Sequence, residues 1–219
     1  MIAGNLISQA IVPLKTSDTG EEALSIMADY YVKHLPIVNN EQLLGLISEE
    51  DLLDHDVAEP LGSYQLSLNR PYAKADDHIY KVLHVLSEFK LTVIPVVDRE
   101  DNYLGMITQD DLLRFFAQIG SFTEPGSIIV LEMGKRDYSL SQIAQIAESE
   151  NAAILSSFIT SSLDSTRIDV TIKVNKPEVQ RIISTFDRFN IKVKATFQEA
   201  TYLDGLKDRY DSLMSYLNV

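Results

Sequence analysis

The chain has 219 residues, no cysteine and a formal charge of −13, so disulfides, thiolate chemistry and cysteine-ligated metal are excluded. The acidity is concentrated: residues 1–122 carry 8 Lys and Arg against 19 Asp and Glu, a balance of −11, and the remainder carries −2, which disfavours a nucleic-acid backbone or an anionic membrane surface as partner. No apolar run approaches the roughly 20 residues that span a bilayer, and the first ten residues lack the basic and apolar regions of a signal peptide, so the cytoplasm is the expected compartment.

Residues 12–15 read as an extended entry. Thr19 and Glu22 have capping-box spacing, and Ala23, Leu24, Met27 and Ala28 recur as a helix face. A short apolar strand over 35–38, a polar turn and a second strand over 44–47 follow, and Asp51-Leu52-Leu53 opens another helix. The same order then repeats. Asp76 and Asp77 are cap candidates for a helix carrying Val82, Leu83, Val85 and Leu86; strands follow over 93–97 and 104–107, and Asp111-Leu112-Leu113 opens the last helix. His34-Leu35-Pro36-Ile37-Val38 matches Val93-Ile94-Pro95-Val96-Val97 at an offset of 59, and Leu44-Gly45-Leu46-Ile47-Ser48 matches Leu104-Gly105-Met106-Ile107-Thr108 at 60, one residue being inserted in the turn. Each copy is β-α-β-β-α. Neither can bury its apolar face alone, so the two are expected to share one core.

The apolar-Pro-Val strand and the Gly-apolar-Ile-[Ser/Thr]-x-x-Asp-Leu signature, present in both copies, resemble the CBS motif, and the pair over 1–60 and 61–120 resembles a Bateman module. The physical reading of the signature is a hydroxyl, Ser48 or Thr108, where a strand turns into a helix. Amides and the positive dipole end there favour an anion. Asp51 or Asp111, one turn in, can accept hydrogen bonds from ribose hydroxyls. The same spacing is also a capping box with Asp at the third helical position, and spacing alone favours capping. The resemblance implies that an adenosyl ligand uses these two positions, with its base flanked by Val12, Leu14, Thr16, Tyr72 and Ala73 and by Leu35, Pro36, Ile94 and Pro95. Glu49, Glu50 and Asp110 would repel a polyphosphate. AMP-like or S-adenosylmethionine-like ligands therefore rank above ATP, ADP being among the ligands the resemblance allows, with Lys33, His34 and Arg114 as the nearest basic residues. His34, His55, His78 and His84 have no metal-ligand spacing, and no nucleophile motif or Gly-rich phosphate loop is present.

The stretch over 118–126, with Gly120, Pro125 and Gly126, reads as a linker. Beyond it come a strand over 127–133, a helix over 138–150 capped from Asp137 or Ser139, and strands over 153–160 and 167–174 joined as a hairpin. A helix with Pro177 in its first turn and a strand over 191–197 complete the order. β-α-β-β-α-β is the ferredoxin-like pattern. Following a CBS pair, it resembles an ACT-like domain over 126–200, and the whole resembles the acetoin-utilisation AcuB-type proteins. Tyr138 stands where amino-acid-binding ACT domains place a glycine, which argues against that mode of binding. In the tail over 201–219, Leu203, Leu206, Tyr210, Leu213 and Leu217 form one helix face, for packing on its own chain or on a partner subunit.

The expected fold is therefore α/β (α+β): a CBS pair, a ferredoxin-like domain and a C-terminal helix. The expected function is regulatory and non-catalytic, requiring no cofactor or metal. It is exercised through an adenosyl ligand, a homodimer by resemblance and a regulated protein partner. A ligand-free interaction scaffold is the alternative.

Overall fold

Thr19 caps the first helix, α1 (Gly20–Tyr30), as its spacing predicts: Glu22 N–H donates to Thr19 Oγ1 at 3.2 Å, and Thr19 N–H donates to Glu22 Oε2 at 2.9 Å. In the computed structural model, which describes residues 1–64, 71–118, 123–160, 166–198 and 212–216, this helix belongs to the first of two units, Met1–Ala117 and Gln118–Val219. β1 (His34–Asn39) and β2 (Gln42–Ser48) form a hairpin that runs into the short helix α2 (Glu49–Leu53). The second repeat supplies β3 (Ala73–Lys74), α3 (Ile79–Glu88), β4 (Val93–Val97), β5 (Tyr103–Thr108) and α4 (Gln109–Gln118).

The repeat is reproduced down to its irregularities. Pro36 faces Leu46 as Pro95 faces Met106, and both hairpins bulge one residue later, at Ile37/Val38 and at Val96/Val97. Both first helices end in a left-handed residue, Tyr31 (φ 54°) and Lys90 (φ 51°), after which Val32 and Leu91 close the last turn. One difference is that the entry strand of the first repeat shrinks to a single parallel bridge, Leu14 with Ile37, where β3 pairs with β4. Another corrects the cap of α3. His78, not Asp76 or Asp77, is the N-cap, its Nδ1 accepting Tyr80 N–H at 3.3 Å. His78 stands 59 residues after Thr19. Asp77 instead accepts Lys74 N–H at 2.8 Å, as Asp18 accepts Lys15 N–H at 2.8 Å.

The repeats also exchange segments. Ala3 and Gly4 N–H donate to Asp77 and Ala75 carbonyls at 2.8 Å, while Leu61 and Gly62 N–H donate to Asp18 and Thr16 carbonyls at 2.8 and 2.9 Å. The stretch preceding each repeat thus packs on the other. Leu14, Leu35, Ile47 and Leu52 from one copy, and Ala73, Ile94, Met106 and Ile107 from the other, join a single core. Each large side chain enclosed there contributes ~1.5–3 kcal/mol, which a lone repeat could not collect.

In the second unit β6 (Ser127–Gly134), α5 (Leu140–Ser149), β7 (Ile154–Thr160), β8 (Arg167–Val174), α6 (Gln180–Arg188) and β9 (Lys192–Gln198) follow the β-α-β-β-α-β order. The sheet is antiparallel, ordered β7-β8-β6-β9. Alternation along β6 and β8 buries Ile129, Leu131, Met133, Ile168, Val170, Ile172 and Val174 against Ile143, Ile146, Ile182 and Phe186. Ser139 caps α5 by accepting Gln142 N–H at 3.3 Å. Asp137 does not cap it. Its N–H closes a turn on the Gly134 carbonyl at 3.0 Å, and Leu140 lies at the exposed first position of the helix. Pro177 likewise precedes α6 rather than opening it, because its carbonyl accepts the buried Ser127 hydroxyl at 2.7 Å and the helix starts only after Val179.

Of the expected tail helix, residues 212–216 are described and are helical, with Leu213 exposed. Leu203, Leu206, Tyr210 and Leu217 lie outside the described residues, as do Gly120 of the expected linker and 161–165 of the expected hairpin connection. Among the described residues no helix is long and apolar enough to cross a membrane.

Candidate ligand site

The hairpin register sets Ser48 opposite His34 and Thr108 opposite Val93, at the points where β2 and β5 turn into α2 and α4. Both signatures form closed capping boxes. Ser48 Oγ–H and N–H donate to Asp51 Oδ2 at 2.6 and 2.9 Å, and Asp51 N–H returns a bond to Ser48 Oγ at 3.0 Å. Thr108 and Asp111 repeat this at 2.7, 2.9 and 3.0 Å. The first amide of each helix is also engaged: Glu49 N–H donates to the Lys33 carbonyl at 2.9 Å and Gln109 N–H to the Thr92 carbonyl at 3.0 Å. Two of the first three amides of each helix therefore already have acceptors, which diminishes the anion site expected from an open helix end.

What remains for a ligand is the outer carboxylate oxygen, and here the copies diverge. Asp111 Oδ1 is held by Arg114 Nη2 at 2.8 Å. The residue matching Arg114 in the first copy is Asp54, so Asp51 has no such cation and sits beside Glu49, Glu50 and Asp54. Its electrostatic neighbour is His34. His34 is half-buried and bonded across the repeats. Thr92 N–H donates to its Nδ1 at 3.3 Å, the Thr92 hydroxyl lies 3.2 Å from the same nitrogen, and Lys33 N–H donates to Thr92 Oγ1 at 2.8 Å. With Nδ1 accepting, the neutral ring carries its proton on Nε2. Burial lowers the His34 pKa below its ordinary value; Asp51 opposes this and Lys33 adds to it.

His55 fixes Asp51 from behind, its Nδ1 lying 2.8 Å from the Asp51 carbonyl and its ring stacked on Tyr64 at 4.6 Å. Tyr64 is buried and donates its hydroxyl to the Asp56 carbonyl at 3.0 Å. His55 is thus a packing residue. No group of three His, Asp or Glu side chains among the described residues could hold a metal ion.

The apolar residues expected around the base are not equivalent. Val12 (66% exposed) and Thr16 face solvent. Leu35 and Ile94 are both at 0% exposure and Pro36 and Pro95 are buried, so these four belong to the enclosed wall of the pair. Ala73 is likewise enclosed, whereas Tyr72 reaches the surface. Thr92 was invisible to sequence reasoning. Its counterpart is Lys33, and the contact to His34 has no mirror image because His34 aligns with Val93. Beside the second signature, Tyr30, Tyr31, Val32, Thr92, Thr108, Gln109 and Asp110 border a partly open hollow of about 40 Å3, room enough for a water.

The CBS domain family matches residues 3–58 and 66–118. A homoserine O-acetyltransferase of Methanococcus vannielii is 26% identical over 118 residues, 51% of this chain and 24% of that protein. An inosine-5'-monophosphate dehydrogenase of Aquifex aeolicus is 27% identical over 107 residues, 47% of this chain and 22% of that protein. The chain therefore spans about a quarter of the length of these curated relatives. Among solved structures, a putative acetoin utilization protein, AcuB, of Vibrio cholerae is similar at a TM-score of 0.50 and 21% identity, over 57% of this chain and 96% of that one; at that identity the likeness concerns the fold. The two signatures, the common core and the family match converge on one statement: this is a CBS-domain protein, built on a tandem CBS pair.

Proposed function

We propose that the chain is a non-catalytic regulatory protein that senses an adenosyl ligand, AMP-like or S-adenosylmethionine-like, through its CBS pair. The observation that carries this is the presence of two carboxylates at matching positions, each fixed by its own hydroxyl through Oδ2. The Asp51 carboxylate acts electrostatically on His34, a histidine bonded to the other repeat. A ribose accepted at Asp51 lies next to the His34–Thr92 contact, so occupancy is communicated between repeats to the extent that the ligand binds the two arrangements differently. The excess of carboxylates around Asp51 favours an uncharged or cationic adenosyl group there, while Arg114 beside Asp111 favours a monophosphate. The proposal extends to a homodimer in the cytoplasm, acting on a partner protein.

A thermal-shift series with adenosine, AMP, ATP and S-adenosylmethionine tests it. A ligand present at 100 times its dissociation constant stabilises the folded state by ~2.7 kcal/mol, and Asp51→Asn or Asp111→Asn should abolish the shift that belongs to each site. The closed capping boxes favour a second reading, a ligand-free interaction scaffold, because both hydroxyls and both Oδ2 atoms are satisfied without any ligand. Equal unfolding temperatures with all four compounds select that reading. A monomer by light scattering at micromolar concentration removes the homodimer.

A further inference from the structure

A cleft of about 940 Å3 opens in the second unit, where β6 leaves the sheet and β8 and β9 enter it. Four cations line it, Lys135, Arg136, Arg167 and Lys192, against two carboxylates, Glu132 and Asp137. In a chain of formal charge −13, cations exceed carboxylates by two among the described residues that line this cleft.

The cations come from three separate segments, and two of them are held in place by an ion pair. Glu132 Oε1 draws Arg167 Nη2 to 2.8 Å and Lys192 Nζ to 3.2 Å, so one carboxylate fixes two cations from the strands on either side and leaves the floor positive. The turn after β6 is closed by Asp137 N–H on the Gly134 carbonyl at 3.0 Å and by Lys135 N–H on the Thr166 carbonyl at 2.9 Å. These bonds anchor the main chain from which Lys135 and Arg136 project, and neither forms an ion pair with any described residue. At the α6–β9 corner, Asn190 adopts φ 57° and turns the chain so that the half-exposed Phe189 ring and Ile191 border the same cleft.

Cations and an uncovered aromatic ring meeting at one concavity constitute a recognition surface with two chemistries. We propose that the cleft binds a small organic dianion. Its negative groups are taken by Lys135, Arg136 and the Glu132-held pair, and its carbon frame lies on Phe189 and Ile191. The excess of two cations among the described lining residues matches a dianion. A polyphosphate exceeds it and meets Glu132 and Asp137, while a simple monoanion leaves charge uncompensated.

The test is a titration of the 15N-labelled full chain at constant ionic strength with phenyl phosphate, inorganic phosphate, succinate and, as control, sodium chloride. The dianions should give saturable shifts at amides 134–137, 166–167 and 189–192, with phenyl phosphate at least tenfold tighter than inorganic phosphate. Whether phenyl phosphate or succinate binds more tightly tells a phosphate monoester from a dicarboxylate. Lys135→Ala/Arg136→Ala should weaken every dianion at least tenfold, and Phe189→Ala should remove only the advantage of the ring. All three side chains are exposed, so the variants should unfold at the wild-type midpoint. Responses no larger than those to chloride, saturable shifts confined to residues 1–117, or undiminished binding in the double variant overturn the proposal. Equal affinity for phenyl phosphate and inorganic phosphate overturns the part given to Phe189.

Discussion

Thr92 N–H donates to His34 Nδ1 at 3.3 Å, joining the second repeat to the first through a titratable ring that burial keeps below its ordinary pKa. A proton on Nδ1 would cancel that acceptor. The unfolded chain, with His34 near its usual value of about 6.5, binds the proton more readily than the folded one. This contribution to stability is therefore complete above that value and is lost as pH falls towards the lower folded pKa. Urea midpoints measured from pH 7.5 to 5.5 should fall less steeply in His34→Asn, which keeps an acceptor but does not titrate. Parallel pH profiles for the two proteins would show that the ring does not titrate in this way.

Ser48 and Thr108 are the caps of their helices as well as members of the candidate site. Ser48→Ala and Thr108→Ala should each cost about 1 kcal/mol, read from chemical denaturation of the ligand-free chain. A loss below 0.3 kcal/mol by the same measurement, well under the ~0.5 kcal/mol floor for lost caps, would mean that the boxes contribute little to folding.

Arg114 is one charge difference between the two copies, its place in the first copy being taken by Asp54. Its side chain is 70% exposed, so its influence is screened. Arg114→Ala should weaken AMP by about 3- to 10-fold and leave adenosine nearly unchanged. Calorimetric titration of both compounds measures this; an equal loss for both would assign Arg114 to positioning Asp111 rather than to reading charge.

Gly105 adopts φ 152°, and a Cβ built there would lie 2.4 Å from Ile7 Cγ2 and 3.2 Å from the Ser8 carbonyl oxygen. The N-terminal segment crosses β5 at this point, Ser8 N–H donating to the Met106 carbonyl at 2.9 Å. Gly105→Ala should destabilise the first unit by roughly 1–3 kcal/mol and raise hydrogen exchange at Ser8 before exchange at Ile129 in the other unit. Unchanged protection at Ser8 would contradict the crossing.

Phe186 is wholly enclosed between α6 and the sheet. Phe186→Ala should cost about 3–5 kcal/mol in the second unit while leaving the His34 and Thr92 amides protected. Simultaneous loss of protection in both units would show that they unfold as one.

The paired prolines and the repeated [Ser/Thr]-x-x-Asp carried the CBS pair into view from the sequence, because period and offset record how often an apolar face must recur. The alternation 129, 131, 133 and 168, 170, 172, 174 did the same for the second sheet. Local competition was harder to read. Asp77 looks like a cap by composition, but its carboxylate is taken by Lys74, and Pro177 looks like a helix opener until its carbonyl meets Ser127.

By itself the sequence determined the duplication, the common core and the type of element at nearly every step, all of which follow from hydrophobic periodicity and short-range capping. Only the tertiary structure decided that Leu35 and Ile94 are sealed inside, that Arg114 occupies one aspartate and not its twin, and that Thr92 reaches His34 across the repeats. Those outcomes depend on which side chains long-range packing brings within hydrogen-bond reach. Residues 58 positions apart leave no spacing rule from which that contact can be read.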